Sequence, residues 1–144
     1  MFDIAALSIE KIVFIGGLIV AALVVLVVAF LIRRRLPRRL KTDYFKTRWI
    51  ELQKLCAHPQ TWPQAIIEAD NLLATALKKK FPGRKSVGER LVSAQKLFSD
   101  NDAVWFAHKL RNKLEQRPNI RLKQDDVKEA LLGVGQALKD LGAL

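Results

Sequence analysis

Twenty-one consecutive residues, Ile12 to Ile32, carry no charge, and the next nine, Arg33-Arg34-Arg35-Leu36-Pro37-Arg38-Arg39-Leu40-Lys41, hold six basic side chains and no acid. A hydrocarbon core about 30 Å thick is crossed by about 20 apolar residues of helix. The block meets that length with Val, Leu, Ile, Ala and Phe, and it predicts one spanning helix over 12–32. A cleaved secretory leader has a basic start, a shorter apolar stretch and a small-residue cleavage site. Here the start is slightly acidic, with Asp3, Glu10 and Lys11, and the apolar stretch runs straight into arginine. An uncleaved anchor is therefore expected. The charge asymmetry orients it: by the positive-inside rule residues 1–11 form an extracytoplasmic tail, 33–41 a basic juxtamembrane linker, and 42–144 a cytoplasmic domain at a cell membrane.

Residues 33–144 hold 24 basic and 12 acidic side chains, and half of that excess lies in the linker. Near an anionic leaflet each such residue contributes about 1 kcal/mol of attraction. Arg33, Arg34, Arg35, Arg38, Arg39 and Lys41 are thus expected to meet the bilayer and its anionic headgroups. Within the anchor, Gly17 and Ala21 make a small-xxx-small pair and Gly16 adds a second small face, an arrangement that permits a homodimer. Cys56 is the one cysteine, so no internal disulfide forms and a reducing compartment suits it. Cys56, His58 and His108 lack the paired spacing of a zinc site. No metal site and no cofactor is expected.

The remaining 103 residues suffice for one small domain. Phe45, Trp49, Leu52 and Cys56 fall at helical spacing and predict a first helix over 43–56, interrupted by Ala57-His58-Pro59-Gln60. Thr61-Trp62-Pro63-Gln64 has the form of a capping box and opens a second helix that reaches about Lys80. After the loop Phe81-Pro82-Gly83-Arg84-Lys85, Ser86-Val87-Gly88-Glu89 repeats that form before Leu91, Ala94, Gln95 and Phe98, a short third helix. Ser99-Asp100-Asn101-Asp102 supplies N-caps and first-turn acids for a fourth, with Ala103, Ala107, Leu110 and Leu114 on one face, ending before Pro118. Asp125 and Asp126 open the last, whose stripe is Val127, Ala130, Leu131, Val134, Leu138 and Leu141, closed by Gly142. The expected fold class is all-α: one N-terminal transmembrane helix followed by a cytoplasmic bundle of four to five helices.

Several motifs favour structure over chemistry. Gly83-Arg84-Lys85-Ser86-Val87-Gly88 looks like a phosphate loop but follows a helix rather than a strand, and Glu89-Arg90 stand where Lys-Ser/Thr is needed. Trp49, Trp62 and Trp105 sit on or beside apolar stripes and are expected in the core rather than as base-stacking platforms. Gly133 and Gly135 each cost their helix about 1 kcal/mol relative to Ala, which close approach of another helix would offset, one within the domain being favoured over one from a partner. Asp70 is the exception. It lies on the line Ile66, Asp70, Leu73, Leu77 that should face the core, and a buried carboxylate needs a cation or hydrogen-bond donors. Arg111 or Arg90 is the expected partner.

Around Arg111 the stretch Ala107-His108-Lys109-Leu110-Arg111-Asn112-Lys113-Leu114-Glu115-Gln116 resembles the Arg-Asn-x-x-x-His signature of HEPN-superfamily domains, helical bundles that include ribonucleases and noncatalytic nucleotide-binding or interaction modules. The resemblance implies that Arg111 and Asn112 take the signature's Arg and Asn positions. In its catalytic members the Arg stabilises phosphate charge and the His serves acid–base chemistry. Gln116 occupies that His position here, and an amide cannot exchange a proton near neutral pH. His108, one turn before Arg111, is the nearest imidazole.

With no complete catalytic set, the chain is expected to be a noncatalytic, membrane-anchored interaction module that docks a cytoplasmic protein. Weak RNA or nucleotide binding is placed at Asp70, His108, Arg111, Asn112 and Gln116. The alternatives are a membrane-tethered HEPN-type ribonuclease using Arg111 and His108, or a structural subunit of an envelope complex.

Overall fold

A bundle core made of Phe45, Leu52, Ile66, Leu73, Leu77, Leu91, Val104, Leu114, Val134 and Leu138, each almost wholly buried, organises residues 38–144. The computed structural model describes residues 9–35 and 39–144, with the side chains of residues 34 and 35 outside that description. The expected tail at 1–8, and Arg34, Arg35 and Arg38 as headgroup contacts, lie outside the described residues.

The chain divides into two units, 1–37 and 38–144. The first holds α1, Ile9–Arg35. It is apolar on every face, and its described side chains are exposed. By length and composition it is able to cross a membrane, as a single span or as a signal sequence. The helix outruns the uncharged block at both ends, because Glu10 in the first turn and arginines in the last match the sign of the helix dipole.

The second unit contains α2 (Thr42–Lys54), α3 (Trp62–Lys80), α4 (Val87–Ala94), α5 (Asn101–Gln116) and α6 (Gln124–Asp140). Two single-turn 3₁₀ segments, Leu55–Ala57 and Pro59–Thr61, link α2 to α3. α3 is the central helix and packs against the other four. Its buried face, Ala65, Ile66, Ala69, Asp70, Leu72, Leu73, Ala76 and Leu77, is wider than a single stripe, as a helix surrounded by neighbours requires.

Local signals set several helix ends. At Ser86 the capping box forms in full: the hydroxyl accepts from Glu89 N at 3.2 Å, and the Glu89 carboxylate accepts from Ser86 N at 2.6 Å. Asp100 caps α5 by accepting from Ala103 N. Gly142, at φ +74°, ends α6, with Ala143 N bonding Leu138 O and Gly142 N bonding Lys139 O. That pair is a Schellman motif, and its left-handed residue suits glycine.

The same pattern at Thr61 does not form. The Thr61 hydroxyl Oγ1 points back to donate toward the Leu55 carbonyl at 2.5 Å and that of His58 at 2.9 Å, and it accepts no amide of α3 as a side-chain cap. α4 also stops at Ala94, short of Phe98, which is nonetheless buried. Gly133 and Gly135 mark close approaches inside the bundle. A Cβ at Gly133 would stand 2.7 Å from Ala103 Cβ on α5, and one at Gly135 2.8 Å from the Trp49 ring on α2. Trp49, Trp62 and Trp105 are half-buried against the core.

Candidate functional site

α3 and α5 run antiparallel, and their facing turns bring Asp70, His108 and Arg111 together. Asp70 is 2% exposed. Its Oδ1 and Oδ2 lie 3.0 and 3.2 Å from His108 Nδ1. Against a carboxylate that only accepts, Nδ1 is the ring nitrogen placed to donate. The Arg111 Nε is 3.6 Å from Asp70 Oδ2, close enough for ionic attraction but too long for a hydrogen bond. That Nε is buried and has no hydrogen-bond partner.

The other side of Arg111 is better tied. Nη1 donates to Glu115 Oε2 at 2.8 Å, one turn on, and to Asn112 Oδ1 at 3.2 Å. Trp105, one turn before His108, meets the imidazole edge-on with centroids 6.1 Å apart. The i, i+3 and i, i+4 spacings of Trp105, His108, Arg111 and Glu115 place them along one side of α5. Among the described residues neither His108 Nε2 nor Arg111 Nη2 has a hydrogen-bond partner, and neither is sealed from solvent.

Of the five residues singled out from sequence, Asp70, His108, Arg111 and Asn112 therefore converge. Gln116 does not join them. It is exposed at the end of α5, and five residues of helix carry it about 140° around the axis from Arg111. Glu115 and Trp105 belong to the cluster although sequence reasoning gave them no site role; their helical spacing from Arg111 and His108 was the available signal.

Arg90, the rival partner for Asp70, is committed elsewhere. Its Nε donates to Phe81 O at 3.1 Å and its Nη2 to Gly83 O at 2.7 Å, while Nη1 donates to Lys85 O. Buried at 7% exposure, it folds the 81–85 loop around one guanidinium. The loop thus turns its carbonyls inward and Ser86 N is held by Glu89, which is the opposite of a cradle of free amides for a phosphate.

Chemically, a carboxylate that fixes an imidazole by Nδ1 leaves Nε2 as the exchangeable nitrogen, and a guanidinium beside it offers a donor for an anion. Among the described residues no group of three His, Cys, Asp or Glu side chains converges as a metal site. Burial pushes the Cys56 thiol up, away from the reactive thiolate. It borders an apolar cleft of about 380 Å³ with Trp49, Trp62, Leu131 and Leu132, between α2, the start of α3 and α6. Compared with known proteins, the chain matches no family model, no curated protein and no solved structure.

Proposed function

We propose that this protein is a membrane-anchored, noncatalytic helical module whose bundle works at the cytoplasmic face and docks a protein partner there. The observation that carries this reading is the junction of an apolar, fully exposed helix with a folded unit whose core is drawn from residues 45–143 alone. A helix apolar on all sides finds its low-energy surroundings in lipid, and the arginines that follow it hold it in one orientation. The bundle needs nothing from α1 to bury its own apolar residues, so α1 serves as a tether.

The test is expression of the full chain in bacterial cells. The expected result is a membrane fraction that resists alkaline extraction, an intact mass that retains α1, and protease attack on the bundle only from the cytoplasmic side. A product shortened after α1, or a bundle digested from outside, overturns the anchor or its orientation.

A second reading, RNA or nucleotide binding of HEPN type, draws support from the unpartnered His108 Nε2 and Arg111 Nη2. Phosphate contacts make such binding fall steeply with salt. Salt-sensitive anisotropy of a labelled single-stranded RNA, present with the full chain in neutral nanodiscs and lost in Arg111→Ala, supports it; cleavage of the RNA supports a ribonuclease. No binding removes both.

A further inference from the structure

From Lys78 to Lys85 the chain holds five basic residues in eight positions and no acid. Two structural devices decide which of them face outward. Lys80 turns in and donates to Leu141 O at 2.8 Å, stopping the end of α6. Arg90 gathers the loop carbonyls inward, which leaves the side chains of Arg84 and Lys85 in solvent. Lys78 is exposed as well, and Lys79 lies over the rings of Tyr44 and Phe45, 5.1 and 5.5 Å from their centroids.

That stacking puts the end of α3 beside the first turn of α2. The first turn of α2 is also where the tether arrives: residues 36–41 alone separate it from α1, a reach of at most about 25 Å when fully extended. Among the described residues none of Lys78, Lys79, Arg84 and Lys85 forms an ion pair. Of the acids nearby in the chain, Glu89 is bound into the Ser86 cap, and Asp43 stands in the first turn of α2.

A second basic turn, Arg117, Arg121 and Lys123, makes a natural comparison. It precedes the start of α6, which borders the same cleft as Trp62 at the start of α3. It therefore lies at the other end of α3, about 28 Å away for 19 residues of helix. Charge alone does not separate the two ends; the tether does.

We propose that the bundle docks on anionic lipid through its tethered end, with Lys78, Lys79, Arg84 and Lys85 on the headgroups and the far turn held off the surface. This rests on the reading of α1 as a membrane anchor. It extends the basic linker into a folded surface, so that one face of the bundle is spent on lipid and the remaining faces point to the cytoplasm.

The experiment uses the full chain in nanodiscs of phosphatidylcholine alone or mixed with phosphatidylglycerol, with amine-reactive labelling of each lysine followed by mass spectrometry. In the anionic discs Lys78, Lys79 and Lys85 are expected to label about threefold more slowly at low salt, recovering at high salt, while Lys113 and Lys123 do not change. The exposed pair Arg84→Glu and Lys85→Glu, made together, should release Lys78 and Lys79. Equal rates in the two lipids with the protein disc-bound overturn the proposal but leave the anchor standing. Equal slowing of Lys123 overturns it in favour of diffuse attraction. Protection by single-stranded RNA in neutral discs, greater than that by anionic lipid, overturns it in favour of a nucleic-acid surface. A chain that elutes free of the discs overturns the anchor and this inference together.

Discussion

Asp70 and His108 stand 38 positions apart in the chain and meet at 3.0 Å, a carboxylate 3% exposed at its side chain against an imidazole 13% exposed. Their pairing resolves the one polar conflict in the core face of α3. It also decides how His108 is presented: Nδ1 inward and Nε2 toward the surface.

Replacing Asp70 by Ala leaves His108 without its acceptor and Arg111 without its buried counter-charge. Removing one partner of a buried pair costs about 3–5 kcal/mol when the other is stranded. Because His108 and Arg111 keep partial access to water, about 2 kcal/mol is expected, with Asp70→Asn costing less. Denaturant unfolding of the purified chain checks it; an unchanged midpoint for Asp70→Ala would remove the structural role.

Gly133→Ala and Gly135→Ala should separate although they lie on one helix. Each gains about 1 kcal/mol of helix propensity. At Gly133 the new methyl meets Ala103 backbone atoms at 2.9 Å, which cannot retreat without moving α5, so a net loss of about 1–2 kcal/mol is expected. At Gly135 the obstacle is the edge of the Trp49 ring, a side chain only half-buried, and the loss should be smaller. Thermal unfolding of both variants gives the order.

Arg90→Lys keeps the charge and loses the fork. A single ammonium cannot hold the three carbonyls of Phe81, Gly83 and Lys85, so about 2 kcal/mol of stability should go, concentrated at this loop. Trypsin cutting after Arg84 and Lys85 should accelerate well before the bundle unfolds. Cutting at the wild-type rate would count against Arg90 as the staple.

The carboxyl of Asp140 is pushed up by burial, but hydrogen bonds from Ser99 N, the Gln136 side chain and the Ser99 hydroxyl outweigh this and hold it below the usual carboxylate range. A lowered folded pKa means stability present above the ordinary carboxylate range and lost as pH falls through the folded value. The stability difference between wild type and Asp140→Asn should be clear at pH 7 and shrink toward pH 3. A difference independent of pH would show that geometry rather than ionisation holds Ser99.

The candidate cluster was half legible before any fold was known. That Asp70 needs a partner follows from its place among Ile66, Leu73 and Leu77, and Arg111 was within reach of that reasoning. His108 as the closer partner, and the diversion of Arg90, were not, because both depend on how α4 and α5 rotate against α3. Residue spacing gives a helix its faces but not the angle at which a neighbour meets them.

By itself the sequence determined what local chemistry governs: the length and apolarity of α1, the helical periods, the Ser86–Glu89 box, and the glycine that ends α6. These depend on residues a few positions apart. Tertiary structure decided the rest. Thr61 carries the same cap signature as Ser86, yet the returning chain at Leu55 and His58 claims its hydroxyl. Gly133 and Gly135 cost helix propensity until α5 and Trp49 fill the space beside them. Two basic turns of similar charge became distinct only once α3 set them at opposite ends, since charge acts through distance and distance across the bundle is settled by packing.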